Sequence, residues 1–161
     1  SLIQCLSDDS TMKLSKKAEY ALRALTAMGR ESVGRTFSIH ELAEKERIPL
    51  KFLEQILLTL KNAGILRSKR GVGGGYQMQT PAADISLRQV VELIDGPFQP
   101  IPCCESGSAS AGPCECGIVG GCGLGLTLSD LQTVVRQWLE NTTIAHVIAR
   151  STPPPALTFE I

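Results

Sequence analysis

The chain has 161 residues, 43% of them hydrophobic, and a formal charge that balances to zero; that is enough apolar material for a real core and excludes a wholly disordered polymer. No run approaches the roughly eighteen apolar residues of a membrane helix, and the opening SLIQCLSDDST has neither the basic flank nor the long apolar stretch of a signal peptide. The expectation is a soluble cytoplasmic protein with reduced cysteines, so its six cysteines point to metal ligands or redox thiols ahead of a disulfide framework.

The zero balance conceals a division. Residues 12–79 carry thirteen Lys or Arg against six Glu, whereas residues 80–161 carry three Arg against eight acids. A basic first half joined to an acidic second half suits a polyanion-binding module attached to another unit.

Taken in chain order, Leu14, Ala18, Ala21, Leu22, Leu25 and Met28 recur at three and four, predicting an amphipathic helix from Ser15 to about Arg30, with Gly29 and Gly34 bracketing its end. Ser38 followed by Glu41 is the capping-box pattern, and it opens a second helix that turns Ile39, Leu42 and Ala43 inward. After EKERI, Pro49 suits a first helical position, where its missing N–H costs nothing. The helix it opens runs to Asn62, buries Leu53, Ile56, Leu57 and Leu60, and stops at a left-handed Gly64.

Two such helices separated by about four residues form a helix-turn-helix, whose second member enters a major groove. GILRSKRGVGGGYQMQ then predicts a β-hairpin wing with Tyr76 and Met78 on one side. Its tip sets Lys69 and Arg70 beside Gly71, Gly73, Gly74 and Gly75, so a long cation reaches toward a minor groove while the glycines let backbone approach phosphate. A P-loop is excluded, because no terminal Gly-Lys-Ser/Thr and no following helix accompany these glycines.

ISLRQVVELIDG predicts a fourth helix, capped by Ser86 with Gln89 and burying Leu87, Val90, Val91 and Ile94. Residues 96–125 are dominated by Gly, Pro, Ser and Cys, too long for an ordinary connection, and hold five of the six cysteines. A long helix follows with Leu124, Leu128, Leu131, Val135 and Trp138 spaced four, three, four, three, the seam of a coiled coil, from which a homodimer is expected. Residues 143–150 read as a short terminal helix before a proline-rich tail. His40 and His146 lie far from the cysteines in sequence, and no Ser, His and acid grouping is apparent, so no enzyme is expected.

MKLSKKAEYALRAL, then IPLKFLEQILLTLKNAGILRSKRGVGGGYQM, then a cysteine loop before a long helix together resemble the Rrf2 family of bacterial winged-helix transcription regulators, which includes iron–sulfur and nitric-oxide sensing repressors. The resemblance spans about residues 12–150 and implies a mainly α fold with a small β-wing. It implies an N-terminal extension (1–11), a winged helix-turn-helix DNA-binding domain (12–80), a cysteine-loop sensor and dimerisation region (81–150, with a loop at 96–125 and a long helix at about 124–141) and a tail (151–161). The partners implied are double-stranded DNA with a roughly palindromic operator and a second copy of the chain, with no membrane.

Positions matching the family's DNA contacts are Pro49, Leu50, Lys51, Phe52 and Gln55, with Arg70 as the wing arginine and Lys69 and Gly73 beside it. Ser15, Lys16 and Lys17, at the start of the first helix, suit phosphate. Many relatives carry Ser or Thr and Tyr where this chain has Pro49 to Phe52, so base preference is expected to differ. Cluster-binding relatives use three cysteines, and Cys116-x5-Cys122 matches the last part of that pattern. Cys103 fits the first ligand, with Cys104 as its rival and the extra Cys114 in a longer spacer. Glu19, contributed by the partner subunit, matches an acidic fourth ligand. The implied cofactor is an iron–sulfur cluster, the two-iron (2Fe–2S) form placed ahead of the four-iron (4Fe–4S) form; zinc on four cysteines, a Cys103–Cys104 thiol switch or regulation through a protein partner are the alternatives.

Overall fold

The computed structural model describes residues 13–101 and 122–151. Helices α1 (Lys16–Gly29), α2 (Ile39–Glu46) and α3 (Leu50–Asn62) lead into strands β1 (Leu66–Lys69) and β2 (Gly75–Met78). A single 3-10 turn (Ala82–Asp84) then precedes α4 (Leu87–Asp95), α5 (Gly123–Asn141) and α6 (Ile144–Ser151). The fold is therefore mainly helical with one two-stranded antiparallel sheet, as the sequence pattern implied.

Local chemistry explains the helix limits. Ser15, Ser38 and Ser86 each take the cap position in extended backbone and accept an N–H three residues on, from Ala18, Glu41 and Gln89. The reciprocal arm of the Ser38 box is not made, because the Glu41 carboxylate accepts from Arg35 at 2.6 Å. Pro49 is itself the cap of α3, in extended backbone, and Leu50 is the first helical residue, one position later than the sequence pattern indicated.

Both helices of the helix-turn-helix end in the same hydrogen-bonding pattern. After α3, Gly64 has φ +77°, its N–H donates to Lys61 O and the N–H of Ile65 donates to Leu60 O. After α2, Arg47 takes the left-handed position at φ 51° without the freedom of glycine, while Ile48 N–H donates to Ala43 O at 2.9 Å. Nothing in EKERI announces that turn. It is held from outside the segment: Ile48 is buried, and the Arg23 guanidinium of α1 donates to the carbonyl of Glu46.

A single buried cluster joins α1 (Ala21, Leu25, Met28), α2 (Leu42), α3 (Leu53, Ile56, Leu57, Leu60), Ile65 and Leu66 with Ile85, Val90 and Ile144. It therefore draws on residues from both sides of position 80. Ile144 belongs to it because α6 folds back onto α1, where a Cβ on Gly29 would lie 2.8 Å from the Ile148 side chain. Backbone pairing seats this return: Leu87 N–H donates to Thr142 O and Ile144 N–H to Ile85 O.

The expected seam of α5 divides. Leu128 and Val135 are half-buried and Leu139 packs against the core cluster, whereas Leu124, Leu131 and Trp138 are exposed. With Thr127 and Val134 the exposed residues form a second three-four series, 124, 127, 131, 134 and 138, on the outward face. Val135 thus serves its own fold and Val134 takes its place on the free face, because a straight helix has room for one apolar stripe inward and another outward.

The wing is fastened by backbone. Phe37 and Tyr76 exchange two N–H···O bonds of 2.8 and 2.9 Å, adding a third strand-like residue beside β2. Gly75 lies so close to this bridge that a Cβ would approach Phe37 O to 2.1 Å, in backbone at φ +153°. Gly75→Ala is therefore expected to lower unfolding free energy by roughly 2–4 kcal/mol. Gly73 has φ +72° but open space around it, so Gly73→Ala should cost only about 1 kcal/mol; urea unfolding of both variants checks the difference, and equal losses would contradict it.

Candidate nucleic-acid interface and cysteine-loop anchor

Burial of Leu53, Ile56, Leu57 and Leu60 leaves the opposite face of α3 in solvent: Leu50, Lys51, Phe52, Glu54 and Gln55 are all exposed, and so is Pro49 at its cap. The ring of Phe52 packs edge-on against Tyr20 of α1, with centroids 6.2 Å apart. The wing sets Lys69 and Arg70 outward at its tip, where Gly74 N–H closes a turn onto Gly71 O at 2.9 Å. Under the hairpin lies a polar group that the alternating pattern gave no hint of. Gln77 is buried, donates to Gly34 O and Thr36 Oγ1, and accepts from Arg67 Nε at 2.9 Å, so no polar atom is orphaned.

At the start of α1 the three expected phosphate contacts differ, and Ser15 gives both its N–H and its hydroxyl to the Asp95 carboxylate. Lys16 is exposed but pairs with Glu19 at 2.7 Å, whereas Lys17 is half-buried. Glu19 also faces Arg23 at 3.9 Å. The hydrogen bond from Lys16 holds the Glu19 carboxyl below the usual carboxylate range and raises Lys16 above its own. Glu19 is thus an ionised, cation-paired, partly exposed group on the outer side of α1.

Of the six expected metal residues, the structure places two. Cys122 is the cap residue of α5, half-buried and with no side-chain cap hydrogen bond, so its sulfur is not committed to the helix end. Glu19 is the other, and among the described residues no three His, Cys, Asp or Glu side chains come together as a metal site. Cys103, Cys104, Cys114 and Cys116 lie outside the described residues.

What sequence reasoning missed is the anchorage of the loop's first end and the tie between α4 and α5. At the first end, the Asp95 carboxylate at the foot of α4 accepts both the backbone N–H of Ser15, at 2.9 Å, and the Ser15 hydroxyl. The last helical residue before the cysteine loop is thereby bonded to the cap of α1, beside Lys16. A few residues on, Gln132 of α5 donates to Phe98 O at 2.8 Å, and Arg88 of α4 bridges Glu92 and Glu140, both at 2.9 Å, tying α4 to α5. No local signal reports contacts separated by 34 to 80 residues.

A family model described as iron-dependent transcriptional regulator, the Rrf2 family, matches residues 14–150. The chain belongs to the Rrf2 family. It is a DNA-binding transcriptional regulator and not an enzyme, and among the described residues no helix is long and apolar enough to cross a membrane. It is 34% identical over 146 residues to an HTH-type transcriptional regulator of Mycobacterium tuberculosis, covering 88% of this chain and 84% of that one. It is 30% identical over 139 residues to the regulator IscR of Vibrio vulnificus, covering 86% and 78%. Among solved structures it resembles the oxidized form of Staphylococcus aureus CymR, with a TM-score of 0.66 and 28% identity over 85% of this chain and 96% of that one.

The Ser15–Asp95 contact yields a direct expectation. Asp95→Ala should cost about 1 kcal/mol of stability and speed amide hydrogen exchange in the first turn of α1, leaving the Ser38-capped start of α2 unchanged. Unaltered exchange at residues 15–17 would show that the contact does not hold that turn.

Proposed function

We propose that this Rrf2-family regulator is a homodimeric repressor that reads a roughly palindromic operator and is controlled from its cysteine loop. The observation that carries the dimer is the free face of α5: Leu124, Leu131, Val134 and Trp138 leave a continuous apolar stripe in solvent, with Trp138 57% exposed. A second copy of α5 laid against it buries the stripe in coiled-coil fashion. Two α3 helices held in one dimer then address two half-sites about one helical turn apart. Lys51 and Gln55 serve on α3, Lys69, Arg70 and Gly73 on the wing and Lys16 and Lys17 on α1 as its backbone and base contacts, and Pro49, Leu50 and Phe52 shape the reading face.

For the control element, Cys103, Cys116 and Cys122 would hold an iron–sulfur cluster, with Glu19 of the partner subunit as fourth ligand and Cys104 and Cys114 as alternates for the first. The uncommitted thiol of Cys122 and the soft-donor chemistry of thiolates fit this role, and the family's iron-dependent description supports it. A cluster held there would supply chemistry sensitive to iron and oxidation state. The chain's own residues would carry that sensitivity outward, Asp95 through its bond to the cap of α1 and Cys122 through the first turn of α5. Glu19 has to exchange Lys16 and Arg23 for the metal.

A second reading, in which loop thiols act without metal, has a specific observation behind it. Glu19 is already satisfied by two cations, and the similar S. aureus CymR was solved in an oxidized form.

Two experiments test these readings. Leu131→Glu should convert the dimer to monomer in sedimentation velocity and weaken duplex binding at least tenfold; a dimer that survives removes α5 as its seam. Protein purified without oxygen should absorb in the visible and carry iron, and Cys122→Ala should lose both. A colourless protein containing zinc, or iron retained in Cys122→Ala, would end the cluster reading, and operator binding that changes on oxidation of the metal-free protein would establish the thiol one.

A further inference from the structure

The N-terminal turn of α3 is where a recognition helix meets base edges, and here it presents carbon. Pro49 has neither N–H nor polar side chain, Leu50 is 36% exposed and Phe52 is 46% exposed. The Phe52 ring is not free to retreat, because Tyr20 braces it edge-on. Lys51 lies between the two apolar residues, exposed Glu54 offsets its charge, and Lys69 and Arg70 on the wing supply further exposed cations, so the two carbon groups flank a face that remains cationic with the wing. Three residues after Phe52, one turn along the same side, Gln55 exposes a carboxamide.

Only one apolar group lines the major-groove edge of any base, the C5-methyl of thymine, and the side chain that pairs with the adenine edge is Gln or Asn. We propose that Leu50 and Phe52 are specificity residues that read thymine methyl groups, with Gln55 on a neighbouring adenine, so that A·T pairs face the first turn of α3 in each operator half-site. The inference deepens the DNA-binding function and rests on it. Leaving Leu50 and Phe52 in water is unfavourable in the free protein; contact with the C5-methyl of a thymine covers that carbon, whereas cytosine carries only a hydrogen at C5 and covers less of it.

The test uses the full chain and duplexes enriched by it from a random-sequence library. Each thymine of the enriched site is replaced in turn by deoxyuridine, which removes the methyl and nothing else. Wild-type affinity should fall about 3- to 5-fold at one or two positions per half-site. Leu50→Ser, at an exposed position, should lose the thymine–uracil discrimination at the position Leu50 covers and keep it at the position Phe52 covers, while Phe52→Tyr, which keeps the ring against Tyr20, should retain it at both. Arg70→Ala should weaken both duplexes alike. An enriched, specific site indifferent to every deoxyuridine would overturn the methyl reading and leave the regulator reading intact. Failure to enrich any sequence would remove both, and a change of oligomeric state in Leu50→Ser without loss of discrimination would reassign the patch to a protein contact.

Discussion

The inner face of α3 is the constraint on which the rest of the molecule depends. Leu53, Ile56, Leu57 and Leu60 are fully buried against α1, α2 and Ile65, and each such side chain contributes about 1.5–3 kcal/mol by leaving water. Because a helix is rigid, burying that stripe sets the rotation of α3 about its axis and so decides that Leu50, Lys51, Phe52, Glu54 and Gln55 face outward together. A slip of one residue would put Glu54 and Lys61, or in the other direction Gln55 and Thr59, into the core. The reading face is in this sense the reverse side of the hydrophobic core.

Around this element the fold uses backbone where side chains would be too soft. The Phe37–Tyr76 bridge and the absence of a Cβ at Gly75 hold the wing at a set distance from α2, and the paired Arg47 and Gly64 turns orient α3 at both ends. The return of α6 onto α1, seated by Ile144, means that α5 is fastened at its C-terminal end to the DNA-binding core. At its N-terminal end it begins from Cys122. Both described flanks of the cysteine loop are therefore joined to the rest of the fold, Asp95 to the cap of α1 and Cys122 to the first turn of α5. A polar contact such as the one between Asp95 and Ser15 is individually modest, about 1 kcal/mol.

Much of this was legible in advance because the signals are local. Three serine caps, the spacing of Leu53, Ile56, Leu57 and Leu60, and the glycine stop at Gly64 each act through residues within a turn or two, so helix positions and the wing follow from the string of residues. Where the local signal was ambiguous the sequence reading slipped: Pro49 suits the cap and the first turn alike, and α5 carries two interleaved three-four series of which only packing shows that Val135 turns inward and Val134 outward. The αL turn at Arg47, the buried Gln77 network and the Ser15–Asp95 bond were invisible, since each depends on a partner brought from elsewhere in the chain.

By itself, then, the sequence determined the helix-turn-helix and wing, the charge asymmetry and the presence of five cysteines between residues 103 and 122, because propensity, capping and hydrophobic period are properties of neighbouring residues. Tertiary structure alone decided which face of α5 is free and that the foot of the cysteine loop is bonded to the cap of α1. Those outcomes turn on distances between segments up to 80 residues apart, and such distances exist only once the common core has closed.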